Sequence, residues 1–257
     1  MPVPDRSSFR ISEPDVYIRL ANVDAGYQSE PVLRQVHFEA RPGETTLICG
    51  PTSAGKTTLM HVLRLVMFPR RGRMHVLGHD MARVRAPGRA KLKQRIGYVA
   101  ENPEFVEHWT AYDNIAFPLR MAGRKDRDFE HDIAELIDFV GLPDGGDTPV
   151  GRMSAAARRL AAIARALAIK PHIILADDPT SGMSPEAGHQ IVSRLMQMRR
   201  VGVAVVIASQ DESLADIGPA TLWRIEHGQI SFATEPHDDD LGDDEDDDGD
   251  EGVRFGL

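Results

Sequence analysis

Residues Gly50-Pro51-Thr52-Ser53-Ala54-Gly55-Lys56-Thr57 fit the spacing G-x-x-x-x-G-K-[ST], between an apolar run, Thr46 to Cys49, and a helical run that begins at Lys56. Strand, loop and helix in that order make a phosphate-binding P-loop and commit the chain to a parallel βα core. Glycine lets the backbone curl back with no side chain in the way. Successive N–H groups then point into the mouth of a helix, where anions settle. Lys56 is expected to reach the β- and γ-phosphates of a nucleotide as a compact charge, and the Thr57 hydroxyl to ligand a bridging Mg²⁺. Thr58 completes the stretch expected to hold the nucleotide.

With 257 residues, 42% of them hydrophobic, the chain is long enough for one large α/β domain with a full core. The net charge of -9 is concentrated in His237 to Leu257, where Asp and Glu outnumber a single Arg. The remainder is close to neutral and shows no surface of the kind nucleic acid demands. The single cysteine, Cys49, excludes a disulfide within the chain and fits a reducing cytosol. Pro2, Pro4 and Pro14 break the first fifteen residues, and no run approaches the ~18 apolar residues of a membrane span. A soluble chain is expected, meeting a membrane only through a partner.

The pattern predicts strands over Val16–Asn22, Val36–Ala40 and Thr45–Cys49, a helix over Lys56–Phe68, and strands over Arg73–Leu77 and Ile96–Ala100. The basic stretch Met81–Arg95 reads first as a solvated helix face and second as a surface for an acidic partner or anionic headgroups. From Thr110 to Val140 the spacing is helical, with Ile115, Phe117, Leu119, Ile133, Leu136, Ile137 and Val140 at core positions and Gly141 as the C-terminal cap. Ser154 is placed to cap a helix over Ala155–Ile169. His172–Ala176 and Val203–Ala208 read as strands buried on both faces, Pro185–Arg199 as a helix, and Thr221–Ile225 with Gln229–Ala233 as a terminal hairpin over His227-Gly228. Residues 1–15 and 236–257 are expected to be disordered tails, and 16–235 one domain with a helical lobe at about 101–170. Tyr27, in the loop approaching the P-loop, is placed either to stack on a nucleotide base or to cover an edge.

Asp177 ends the apolar strand IILAD about 120 residues after the P-loop, where an acid can hold the metal beside Thr57. The order of the P-loop, "IGYVAE" at 96–101, "MSAAARRLAAIARAL" at 153–167, "IILADDPTSGMS" at 173–184 and "VVIASQD" at 205–211 resembles the ATP-binding subunits of ABC transporters. "GHDMARVR", "YDNIAFPLRMAG" and "RVGVAVVIASQD" look most like the cell-division branch of that superfamily, FtsE. Lipoprotein-releasing and phospholipid-transport ATPases share parts of these strings. The resemblance implies a P-loop NTPase α/β core with a mostly parallel sheet, an antiparallel β subdomain and an inserted helical lobe. It also implies a homodimer sandwiching two ATP, Mg²⁺ as cofactor, a membrane-embedded FtsX-like permease subunit as partner, and a place on the inner face of the cell membrane.

Five positions depart from the pattern that the resemblance implies. Glu101 stands where the family has a glutamine that touches the metal and the attacking water; a carboxylate still binds metal but donates no hydrogen bond. Met153-Ser154-Ala155-Ala156-Ala157 replaces the signature loop that caps the opposite subunit's γ-phosphate, keeping Ser154 and losing two glycines. Arg158 and Arg159 either compensate electrostatically for the lost glycines or, as is usual for helix-face arginines, meet water. Asp178 replaces the catalytic glutamate one methylene short, Gln210 replaces a histidine, and Ser184 replaces an aspartate. The substitutions fall on hydrolysis, whereas the P-loop, Tyr27 and Asp177 serve binding. Slow hydrolysis signalling through an FtsX-like partner, an ATP-gated scaffold without hydrolysis, and an ATPase of a lipoprotein or lipid transporter all remain open. Phe105, Val106 and Trp109 are either an anchor for the membrane partner or packing within the lobe.

Overall fold

The computed structural model describes residues 15–27 and 30–234; both tails expected from the sequence lie outside the described residues. Two sheets carry the chain. The first is antiparallel and four-stranded, built from β1 (Ile18–Ala25), β2 (Leu33–Ala40), β4 (Arg71–Val76) and the short β5 (His79–Asp80), in the order β2-β1-β4-β5. The second is six-stranded, from β3 (Thr45–Cys49), β6 (Ile96–Val99), β7 (Ile173–Asp177), β8 (Ala204–Ser209), β9 (Thr221–Glu226) and β10 (Gln229–Thr234), in the order β10-β9-β3-β8-β7-β6. All its neighbours are parallel except the antiparallel pair of β9 and β10. The hairpin predicted at the end of the domain is therefore an extension of the main sheet, with β9 beside the strand that feeds the P-loop.

The central strands read as continuous apolar runs because both faces are buried. Successive side chains alternate between two cores. Leu47, Ile174, Ala176, Val205 and Ile207 face the core shared with the helical lobe, while Ile48, Ile173, Leu175, Val206 and Ala208 face the core shared with the antiparallel sheet. Helix α1 (Lys56–Leu63) fills the second of these, through Leu59, Met60, Val62 and Leu63. It stops five residues short of the predicted end at Phe68. Leu65 adopts a left-handed backbone with φ 62°, and the amides of Val66 and Met67 both return to the carbonyl of His61. Leu65 is buried by that turn and Val66 is turned outward. Helix α2 (Ala86–Lys93) has no buried residue, as the basic pattern predicts.

Between β6 and β7 the chain forms a lobe of α3 (Ala111–Met121), α4 (Glu130–Val140) and α5 (Ala155–Ala168). Thr110 caps α3 through Asp113, and Gly141 ends α4 with φ 68°. Ile115, Ala116 and Leu119 face inward, but Phe117 is 41% exposed. Two residues along a helix turn a side chain by about 200°, so Phe117 cannot share the face of Ile115 and Leu119. It packs edge-on against Trp109 instead. Helix α6 (Pro185–Gln197) packs on the lobe side of the sheet and donates from Arg194 to the Phe139 carbonyl.

The turn between β9 and β10 is wedged between the two sheets. The Gly228 amide donates to the Ala54 carbonyl at 3.0 Å, and its carbonyl accepts from Arg34 at 2.9 Å. Its φ is 77°, and a Cβ there would lie 1.7 Å from the Val32 carbonyl oxygen. Gly228→Ala is expected to destabilise the fold by at least ~2 kcal/mol, lowering Tm by roughly 5 °C or more in a calorimetric melt.

Candidate nucleotide site

Strand β3 ends at Cys49, and the loop that follows is shaped by its neighbours. A Cβ on Gly50 would lie 2.2 Å from the Ile225 carbonyl oxygen on β9, so the strand beside β3 requires glycine there. Gly55 turns the chain into α1 with φ 114°, and Ser53 is also left-handed at 65°. The Lys56 ammonium is buried and donates to the carbonyls of Gly50 and Pro51 at 2.6 and 2.9 Å. Pro51, Thr52, Ser53 and Thr57 are exposed, whereas Ala54, Gly55 and Thr58 are buried beneath them. The loop thus exposes Pro51, Thr52 and Ser53, with the Lys56 ammonium held against its backbone carbonyls.

β7 delivers Asp177 to the same end of the sheet with only 4% of its surface exposed. Its carboxylate accepts from the Tyr98 hydroxyl at 3.3 Å and from the side chain of Thr57. Burial raises its pKa, the two hydrogen bonds pull it down, and the nearby charges of Glu101 and Asp178 raise it again. Tyr98 is pushed up to about 12, chiefly by burial and then by Asp177, so it stays a donor. Sequence reasoning missed this tyrosine, although its place in IGYV on β6, the strand beside β7, was a signal available in the pairing.

Asp178 is half-buried, with a left-handed backbone at φ 45° and its amide bonded to the Ala208 carbonyl at 2.8 Å. Asp tolerates that conformation better than most residues. The Glu101 side chain is exposed, yet its backbone carbonyl is held: Arg159, buried on α5, donates to the carbonyls of Ala100 and Glu101. Arg159 therefore does not meet water as the helix face suggested. Burial works against its charge, while Glu101 and Asp178 support it. Arg158 forms a two-pronged pair with Glu107 at 2.6 and 2.7 Å. Neither arginine is left over to replace the missing glycines of the signature loop.

Ser154 caps α5, its oxygen accepting from the Ala157 amide at 3.2 Å, which leaves its own hydroxyl hydrogen available. Gln210, at the end of β8, accepts from the Thr52 hydroxyl at 3.1 Å and so touches the P-loop directly. Tyr27 is 59% exposed and its hydroxyl lies 2.8 Å from His61 Nδ1 on α1. Its ring meets His61 edge-on, so the tyrosine is tied to the P-loop helix.

No group of three or more His, Cys, Asp or Glu side chains able to hold a metal is present among the described residues. Mg²⁺ typically takes one or two carboxylates and completes its shell with water and substrate phosphate. The Thr57 hydroxyl beside Asp177, with like charge from Glu101 and Asp178 crowding that carboxylate, is a donor set of this type. The residues fit the ion.

The family model described as ABC transporter matches residues 33–181. The Nod factor export ATP-binding protein I of Sinorhizobium fredii is 32% identical over 90% of this chain and 66% of its own length, so the chain spans just under two thirds of that relative. The lipoprotein-releasing system ATP-binding protein LolD 2 of Caulobacter vibrioides is 32% identical over 78% of this chain and 91% of that protein. The cell division ATP-binding protein FtsE of Escherichia coli (strain K12) is 31% identical over 77% and 89%. Among solved structures, the ATP-binding cassette MJ0796, a dimer in a post-hydrolysis state with ADP and Pi, superposes with a TM-score of 0.76 at 24% identity, covering 85% of this chain and 98% of that one. It shares the fold.

The raised pKa of Asp177 has a definite sign. The folded protein holds that proton more tightly than the unfolded chain, so stability is lost as pH rises from near 3.8 through the folded value. Asp177→Asn removes a buried charge. In urea melts of nucleotide-free protein, the variant is expected to be more stable than the parent at pH 7.5, with the gain shrinking toward pH 4.

Proposed function

Because this chain belongs to the ABC transporter family, we propose that it is the ATP-binding subunit of a membrane complex, of the FtsE–FtsX kind, that binds Mg-ATP, dimerises around it and hydrolyses it slowly. The observation that carries this reading is the meeting of Lys56, Thr57 and the buried Asp177 at one end of the sheet, with Asp178 beside them in place of a longer acid. In this reading the P-loop backbone from Gly50 to Gly55, through its N–H groups other than at Pro51, which has none, and the Lys56 ammonium hold the phosphates, and Tyr27 stacks on the base. Thr57, Asp177 and Glu101 hold Mg²⁺, which when bound neutralises the developing charge on the phosphates. Asp178 accepts the proton of the attacking water, Gln210 donates its amide N–H toward the γ-phosphate, and Ser154 donates its hydroxyl to the γ-phosphate of the second copy. Asp178 is one methylene shorter than the glutamate it replaces, and a displacement of about 1 Å from the attacking water can cost about 100-fold. The FtsE relative supports the cell-division assignment; the LolD relative supports a lipoprotein or lipid transporter. The shortened acid favours a second reading, in which nucleotide-driven dimerisation is the whole output.

Steady-state phosphate release with Mg-ATP, run beside ATP binding, separates the readings. Turnover that disappears in Lys56→Ala and rises by at least tenfold in Asp178→Glu establishes a slow ATPase with the defect at Asp178. Tight binding with no turnover in the parent establishes the scaffold.

A cavity of about 440 Å³ beside Glu101 is lined by Phe105, Glu107, Arg158 and Arg159 and is where this reading docks the membrane partner. Phe105 lies beneath the Arg165 guanidinium at 4.4 Å, and the half-buried Trp109 packs edge-on against the exposed Phe117. Trp109→Ala is expected to reduce membrane recruitment severalfold in co-sedimentation while ATP affinity stays unchanged; unaltered recruitment removes Trp109 from the docking surface.

A further inference from the structure

The end of the main sheet opposite the P-loop holds an open cleft of about 930 Å³. Its walls are the residues that precede β6, β7 and β8 together with the C-terminal end of α3. The lining combines apolar surface, including Leu119, Met121 and Ile169, with Arg95, Arg124 and Lys170, and it contains no carboxylate. Lys170 is paired with Asp132 at 3.3 Å, and Arg95 donates to His172 Nε2 at 3.4 Å. Met121 is 72% exposed, an unusual state for a methionine at the lip of a cleft. Arg199, just before the Val201 wall, lines the adjoining pocket at β3 and β9 together with Arg41 and the carboxylates Glu39 and Glu44, and Arg200 is exposed beside it. A cleft of this size with these walls fits an extended segment that is both acidic and apolar.

The chain carries such a segment. Eleven Asp and Glu lie between Asp238 and Glu251, followed by Val253-Arg254-Phe255-Gly256-Leu257. In an extended conformation Val253, Phe255 and Leu257 share one face. The topology puts the start of this segment at the correct end of the molecule. β10 runs against every other strand of its sheet, so Thr234 leaves where β3, β8, β7 and β6 begin. Crossing from β10 to β6 takes five strand spacings, roughly 24 Å, and the residues from 235 onward span up to roughly 80 Å when extended. Length, direction, charge and apolar content agree.

We propose that residues 238–257 dock along this end of the sheet, with the acidic run lying against Arg199, Arg200 and Arg95 and with Val253, Phe255 and Leu257 seated against Leu119, Met121 and Ile169. The interaction leaves the P-loop end of the molecule uncovered and does not depend on nucleotide. It gives the acidic segment a fixed resting place instead of a purely solubilising role.

The test uses disulfide trapping in the full chain, where Cys49 is fully buried and its thiol is pushed up to about 12. Met121→Cys with Phe255→Cys is compared with Asn102→Cys with Phe255→Cys, since Asn102 is exposed beyond the opposite end of β6. Both sites are within reach of an undocked segment. Docking is expected to make the Met121 pair form at least tenfold faster, with the preference lost at about 0.5 M salt and in Arg95→Glu/Arg124→Glu. Circular dichroism of that charge-reversed variant confirms folding. Equal rates at the two sites overturn the proposal and assign the cleft to an occupant outside this chain. A Met121 link that forms only between two chains, and falls with dilution, overturns docking within one chain.

Discussion

A carboxylate is carried on a fully buried strand to a place where it has almost no contact with water. Asp177 is tolerated there because two hydroxyls donate to it, one from Thr57 on the P-loop helix and one from Tyr98 on the neighbouring strand. Each donor belongs to a different element, so the acid fastens β6, β7 and α1 to one point. The residual electrostatic cost, augmented by Glu101 and Asp178, is stored in the nucleotide-free protein. A divalent cation is the group best suited to relieve it. Stability and ligand affinity are thus set against each other at a single side chain, as is common at functional sites.

The phosphate loop is also held from the other side. Gly50 passes against the Ile225 carbonyl, Gly55 against Leu33, and Gly228 reaches both Ala54 and Arg34. These contacts join the loop to β9 and to the antiparallel sheet, which are remote from it in sequence. The loop's conformation is therefore a property of the assembled domain, not of its glycines alone.

Much of this was legible in advance, for physical reasons that differ by element. The buried strands β7 and β8 announce themselves as apolar runs up to their last residue, β3 by the short apolar stretch that ends at Cys49, and the P-loop by spacing. Thr110, Gly141 and Ser154 mark helix ends through local chemistry that neighbours do not alter. What was hidden depends on tertiary contact. Nothing in the run KTTLMHVLRLVMF marks the left-handed turn at Leu65. Phe117 matched a loosely read apolar pattern but sits on the wrong side of its helix. The contacts of Tyr98, His61 and Arg159 are made with residues far along the chain, and an arginine on an alanine-rich helix gives no sign of which face is covered.

Arg159 has a mechanical side. It rises from the second turn of α5 and grips the two carbonyls where β6 gives way to the lobe. Helix and strand exit are therefore tied by one guanidinium nitrogen that donates to both carbonyls. If α5 moves relative to the sheet, these two hydrogen bonds either carry the Glu101 backbone with it or break.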